Sequence, residues 1–114
     1  HFKFYLVYDS PFSYCFSDYQ LLKQYENGEC HGANGRRMKP SVTAFVSVVE
    51  RFYSYVDTLS EVGFSPRELD YIGGCRSAVN RESQNNNIHT VMRVLMYDVE
   101  DVMTIVKSKL CDSE

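Results

Sequence analysis

The chain has 114 residues and a formal charge of −3; 44% of its residues are hydrophobic and 24% charged, with nine Tyr, seven Phe and no Trp. That balance is too apolar for a disordered chain, and no apolar run approaches the about 20 residues needed to span a bilayer. The length admits a single domain and excludes a dinucleotide-binding domain, a two-domain enzyme and a transporter, while the mild acidity argues against nucleic acid as a partner.

Residues 2–8 (FKFYLVY) read as a short strand or as an arm packed on the core. Ser10-Pro11 then supplies an N-cap and a first helical position, where the missing proline N–H costs nothing. Phe12, Cys15, Phe16, Tyr19 and Leu22 recur at helical spacing to about residue 25, and Asn27-Gly28 closes the segment. Residues 28–40 (GECHGANGRRMKP) are an irregular loop carrying Arg36, Arg37 and Lys39.

Ser41 caps a second predicted helix that runs to about residue 62, with Val42, Phe45, Val46, Val49, Phe52, Val56 and Leu59 as its buried stripe and Gly63 as its stop. Ser65-Pro66-Arg67-Glu68 is a capping box with proline at the first position, and Phe64 is placed to staple to Leu69. Leu69, Ile72, Cys75 and Val79 continue one face of that third helix, which Gly73-Gly74 weakens or kinks. After a polar connector at 83–87, the longest apolar periodicity runs over 88–110, with Lys107 and Lys109 in its last turn, where cations favour the helix dipole. The fold class is therefore all-α: a small disulfide-stabilised bundle of about three to five helices, occupying 1–114 as one domain.

Compartment follows from the cysteines and the first residue. The chain begins with His1 and has no basic n-region ahead of its first apolar stretch, as expected of a secreted protein whose leader has been removed. Cys15, Cys30, Cys75 and Cys111 are even in number and have no C-x-x-C spacing, which favours two disulfides over a metal site; four free thiols in a cytosolic protein are the alternative. A Cys15–Cys30 bridge needs a taut loop beyond the end of the first helix. If helix directions alternate, Cys15 and Cys111 share the bottom of the bundle and Cys30 and Cys75 lie nearer its top. The ranking that results is Cys15–Cys111 with Cys30–Cys75.

No catalytic signature stands out. Cys30-His31 is adjacent in sequence, but neighbouring loop side chains do not point together, and a disulfide would remove the nucleophile. His1, His31 and His89 lack metal-ligand spacing, and Asp98, Glu100 and Asp101 read as a solvated helix face more readily than as a catalytic pair or a calcium site. No phosphate-loop, dinucleotide, nucleophile-elbow or zinc-protease motif is present, and no N-x-[ST] sequon. Asn34-Gly35-Arg36 matches a short cell-adhesion tripeptide that an ordinary turn also explains. The features that lean towards binding are the basic loop (Arg36, Arg37, Lys39) and tyrosines off the main apolar stripes (Tyr53, Tyr55, Tyr97), since Tyr and Arg anchor protein interfaces. Tyrosines rimming a small core and a merely solubilising loop are the plain alternative.

The runs S-Y-C-F-S-D-Y at 13–19, N-G-R-R-M-K-P-S at 34–41, R-F-Y at 51–53 and G-F-S-P-R-E at 63–68, with the chain length and the four cysteines, resemble the anophensin/albicin-like family of anopheline mosquito salivary proteins. The resemblance spans nearly the whole chain and carries no site residue over. It implies a secreted inhibitor of a host plasma cascade; with no catalytic signature in the residues, the expectation is a monomeric, non-enzymatic inhibitor without cofactor that binds a host plasma protein complex. The favoured target is the alternative-pathway C3 convertase (C3bBb) of complement; the kallikrein–kinin contact system, through factor XII or kininogen, is the alternative. A rival of another class is a small hydrophobic-ligand carrier, which predicts a cavity lined by Phe45, Phe52, Met92 and Met103. A disulfide-bonded structural or signalling domain with no inhibitory role is a third.

Overall fold

The computed structural model describes residues 11–31, 34–59 and 63–112. Four helices follow one another: α1 (Pro11–Glu26), α2 (Val42–Asp57), α3 (Pro66–Glu82) and α4 (Ile88–Asp112). The described residues contain no strand; the nearest to one is an isolated antiparallel bridge between His31 and Arg37 within the loop after α1. The strand or arm expected at 2–8 and the cap expected at Ser10 lie outside the described residues.

Each helix begins and ends for a local reason. At the end of α1, Gly28 takes φ 77°, which lets Glu29 N–H reach the Gln24 carbonyl and Gly28 N–H reach that of Tyr25, so two otherwise orphaned acceptors are satisfied. Ser41 caps α2, its Oγ accepting from Ala44 N–H at 3.1 Å. The capping box of α3 is reciprocal: Ser65 Oγ accepts from Glu68 N–H, and Glu68 Oε1 accepts from Ser65 N–H at 2.8 Å. Asn87 Oδ1 accepts from the His89 and Thr90 N–H groups and so starts α4.

Several expectations need correction. Helix α2 ends at Asp57, short of residue 62, because Thr58 and Leu59 turn their N–H groups to carbonyls only three residues back. Helix α3 runs through Gly73-Gly74 as one helix, Pro66–Glu82. Leu69 is 51% exposed while Phe64 packs against the core, so the expected core position and staple are not realised at Leu69.

Side-chain pairs fix the helix directions. Tyr14–Tyr55 and Asp18–Arg51 make α2 antiparallel to α1, and Cys15–Met103 with Tyr19–Glu100 does the same for α4. Lys109–Glu68 and Tyr71–Asp101 set α3 antiparallel to α4, completing an up-down-up-down bundle. Helices α1 and α3 each pack on both α2 and α4, and α2 packs on α4, whereas any contact between α1 and α3 is slight. The α2/α4 pair is thus the middle of the bundle. Phe45, Val49, Phe52 and Val56 of α2 meet Leu95, Val99, Val102 and Val106 of α4 in one buried cluster.

Axial register and lateral order together separate the cysteines. Cys15, Cys30 and Cys75 are free, so neither Cys15–Cys111 nor Cys30–Cys75 is bridged. Alternating directions are present, but direction alone does not bring the pairs together. Cys15 Sγ faces Met103 Sδ at 4.0 Å, and Cys111 lies two turns further along α4, about 12 Å by the helix rise and well beyond a bridged Cα separation. Cys30 follows α1 and Cys75 sits on α3, on opposite sides of the α2/α4 pair. Burial, with the nearby Asp18 charge adding to it, pushes the Cys15 thiol up to about 12, and burial also raises Cys30 and Cys75.

The buried polar contact of the α1/α2 interface is Asp18, 5% exposed, which accepts from Arg51 Nε at 2.9 Å and from Nη2 at 2.6 Å. Removing the arginine strands a carboxylate in the core surface. Arg51→Met is expected to cost about 2 kcal/mol and to lower the melting temperature by about 10 °C. By contrast Arg76→Ala, which breaks an exposed pair with Asp57, costs at most about 0.5 kcal/mol. Equal losses in thermal melts of the two variants would contradict this ranking. A thiol-alkylating reagent should modify Cys15 and Cys75 slowly in the folded chain and fully in denaturant without reductant; cysteines inert in denaturant would contradict the free state.

Candidate functional site

The loop after α1 folds back towards the start of α4. The His31–Arg37 bridge and the bond from Met38 N–H to the Cys30 carbonyl at 2.8 Å close its base. At its tip Asn34 Oδ1 accepts from Arg36 N–H, and Gly35 supplies φ 76° for the turn. The Arg37 guanidinium donates to the Gly28 carbonyl at 3.2 Å, tying the loop to the end of α1. These ties leave the side chains of Arg36, Met38 and Lys39 exposed.

A surface groove runs from this loop along α4. One cleft of about 510 Å³ is bordered by Tyr25 and Gly28 at the end of α1, by Arg37, Met38 and Lys39 of the loop, and by Ile88, His89 and Met92 of α4. A second, of about 440 Å³, continues along α4 past Arg93, Met96 and Tyr97 to Glu100 and Asp101. The two clefts share Glu26, His89 and Met92, so they form one surface. Its floor is apolar, with the buried Met92 and Met96, and its rims carry Met38, 54% exposed, and Tyr97, 73% exposed. Exposed large apolar side chains beside a concave surface are the usual composition of a binding site.

Cations gather at the loop end of the groove, where the one bordering acid, Glu26, is paired with Lys23 at 3.2 Å. Lys39 and Arg93 have no carboxylate partner among the described residues, and the guanidinium of Arg37 binds only a carbonyl. At the far end the carboxylates are already engaged. Glu100 accepts from Tyr19 at 2.5 Å and from Lys23 at 2.7 Å, and Asp101 accepts from Tyr71 at 2.6 Å. Burial raises Glu100, but the bonds from Lys23 and Tyr19 outweigh it and leave its carboxyl below the usual range.

The six residues singled out in the sequence divide. Arg37, Lys39 and Tyr97 border the groove, and Arg36 stands exposed beside them in the same loop. Tyr55 does not join them: it is half-buried and stacks on Tyr14 with ring centroids 5.2 Å apart. Tyr53 is a correction. It is 1% exposed, edge-on to Phe52, and belongs to the core, not to a binding face. Position 53 lies between the stripe residues 49, 52 and 56 on the side that α3 covers, and only the packing of α3 reveals this.

The groove residues Met38 and Arg93 escaped the sequence reading, and Met92 and His89 were read there in other roles, since their shared place lies in a loop meeting a helix about fifty positions away. Asp98, Glu100 and Asp101 also differ from a solvated face. Glu100 and Asp101 tether α4 to tyrosines of α1 and α3, because they flank the buried Val99, Val102 and Met103 on either edge. Phe45, Phe52 and Met103 are packed in the core, and of the four residues proposed for a carrier cavity only Met92 borders these clefts. Among the described residues no group of His, Cys, Asp or Glu is arranged to hold a metal ion, and no helix is long and apolar enough to cross a membrane.

No protein-family model, curated protein or solved structure matches this chain. The surface is accordingly interpreted from its own chemistry.

The Tyr53 hydroxyl is buried without a hydrogen-bond partner among the described residues. Burial, with Cys75, Asp98 and Tyr71 adding their charge, holds the phenol far above its ordinary range. Tyr53→Phe removes an unsatisfied group, so the expected outcome is unchanged stability or a gain of up to about 1 kcal/mol by denaturant unfolding. A loss above about 1 kcal/mol would mean that the hydroxyl is bonded in the folded protein.

Proposed function

We propose that this chain is a secreted, non-enzymatic inhibitor that acts by occupying a surface of a host plasma protein complex, foremost the alternative-pathway convertase of complement. The observation that carries the proposal is the groove between the basic loop and α4, where exposed Met38 and Tyr97 flank an apolar floor beside uncompensated cations. Met, Tyr and Arg are the side chains enriched at the centres of protein interfaces, and such a surface needs shape and a few anchors to act. The resemblance to anopheline salivary inhibitors supplies the choice of target, and two of its runs, at 34–41 and 13–19, fall on the loop and on α1. Factor XII or kininogen is the alternative target of the same surface.

A carrier function is the weaker reading, since its proposed lining is mostly packed core. Oxidation of the cysteines belongs to the secreted reading only if the thiols reposition, because the three described cysteine side chains are free and held apart.

The assignment is tested by haemolysis through the alternative pathway run beside kallikrein generation in the same plasma. Inhibition of the first alone is expected, and Tyr97→Ala with Lys39→Ala should weaken it at least about tenfold with little change in melting temperature. Inhibition of kallikrein generation alone would move the target to the contact system. Activity in neither assay would overturn the proposal.

A further inference from the structure

Resting on the binding surface proposed above, we infer that the groove recognises a short acidic-apolar segment of its partner protein, an apolar side chain seated between Met38 and Met92 with a carboxylate against Arg37 and Lys39. Length sets the size of the segment. The lining residues of α4 run from Ile88 to Asp101, about 20 Å at about 1.5 Å per residue. About six residues of extended chain span that distance.

Charge sets its polarity. Loop residues 34–40 carry Arg36, Arg37 and Lys39 and no acid, and Arg93 adds a further cation one turn along α4 from His89; Glu26, the acid that borders this end, is already paired with Lys23. With no carboxylate on Lys39, Arg93 or the Arg37 guanidinium, these cations offer unneutralised donors to an incoming acid. At the other end Glu100 and Asp101 are hydrogen-bonded to Tyr19, Lys23 and Tyr71; with two carboxylates and one lysine that end stays net acidic, offers no free cation and presents Tyr97 as an apolar platform. A partner segment therefore lies with its acidic part at the loop and its apolar part along α4. A wholly apolar segment would leave the cations desolvated and unpaired, and a basic one would be repelled.

The test uses the full chain and two fluorescein-labelled peptides read by fluorescence anisotropy: Asp-Glu-Leu-Phe-Asp-Leu and its charge-reversed form Lys-Lys-Leu-Phe-Lys-Leu. The acidic peptide is expected to bind and the basic one not to. Lys39→Glu should lower affinity about tenfold or more, and Met38→Ala, an exposed position that leaves folding intact, should lower it about fivefold. Binding should also weaken with added salt. Equal binding of both peptides, or binding of neither, would overturn the inference. Tight competition by heparin together with an unaffected Met38→Ala would also overturn it, since that pattern marks a general polyanion site. Haemolysis inhibition that persists while the acidic peptide fails to bind would sink this inference and leave the inhibitor reading standing.

Discussion

The burial of α2 against α4 is the constraint from which the other features follow. These two helices carry the most continuous apolar faces, and placing them together in the middle forces α1 and α3 to opposite flanks. Each flanking helix is then held by polar contacts at the edges of that core. Asp18–Arg51 and Tyr19–Glu100–Lys23 hold α1; Tyr71–Asp101 and Lys109–Glu68 hold α3. The last of these joins the C-terminal turn of α4 to the capping box of α3, so a helix cap and an interhelical ion pair share one carboxylate. Its pair with Lys109, first, and then the Ser65 N–H hold Glu68 below the usual carboxylate range.

The same constraint leaves a surface uncovered. The start of α4 is flanked by the end of α1 on one side, and the loop from 28 to 40 must cross from α1 to α2 close by. Residues Arg37 to Pro40 border the cleft beside α4 before Ser41 caps the start of α2. The groove is therefore a consequence of connection geometry, and its apolar floor is the outer edge of the core.

Much of the fold was legible in the sequence because its signals are local. Ser41, the Ser65–Glu68 box and Gly28 mark helix ends through hydrogen bonds that span three to five residues, and the periodicity of 88–110 needs no knowledge of what it packs against. The failures share a cause as well. Whether Tyr53 is buried depends on α3, and whether Leu69 is exposed depends on how far α3 leans on its neighbours. Whether cysteines can meet depends on which helices are adjacent. Helix direction was inferable from short connections, but the axial register that offsets Cys111 from Cys15 and the lateral order that parts Cys30 from Cys75 were not. Half of the candidate site was likewise readable: Arg37, Lys39 and Tyr97 stood out by type and position, while Met38, Met92 and Arg93 gain meaning only when the loop is laid against α4.

Amide hydrogen exchange of the chain, alone and bound to the assembled alternative-pathway convertase, tests the central claim most directly. The account predicts that the slowest amides of the free chain lie in α2 and α4, and that binding slows exchange at 34–40 and along 88–97. Binding that slows exchange chiefly on the outer face of α3, or slowest amides confined to α1 and α3, would contradict it.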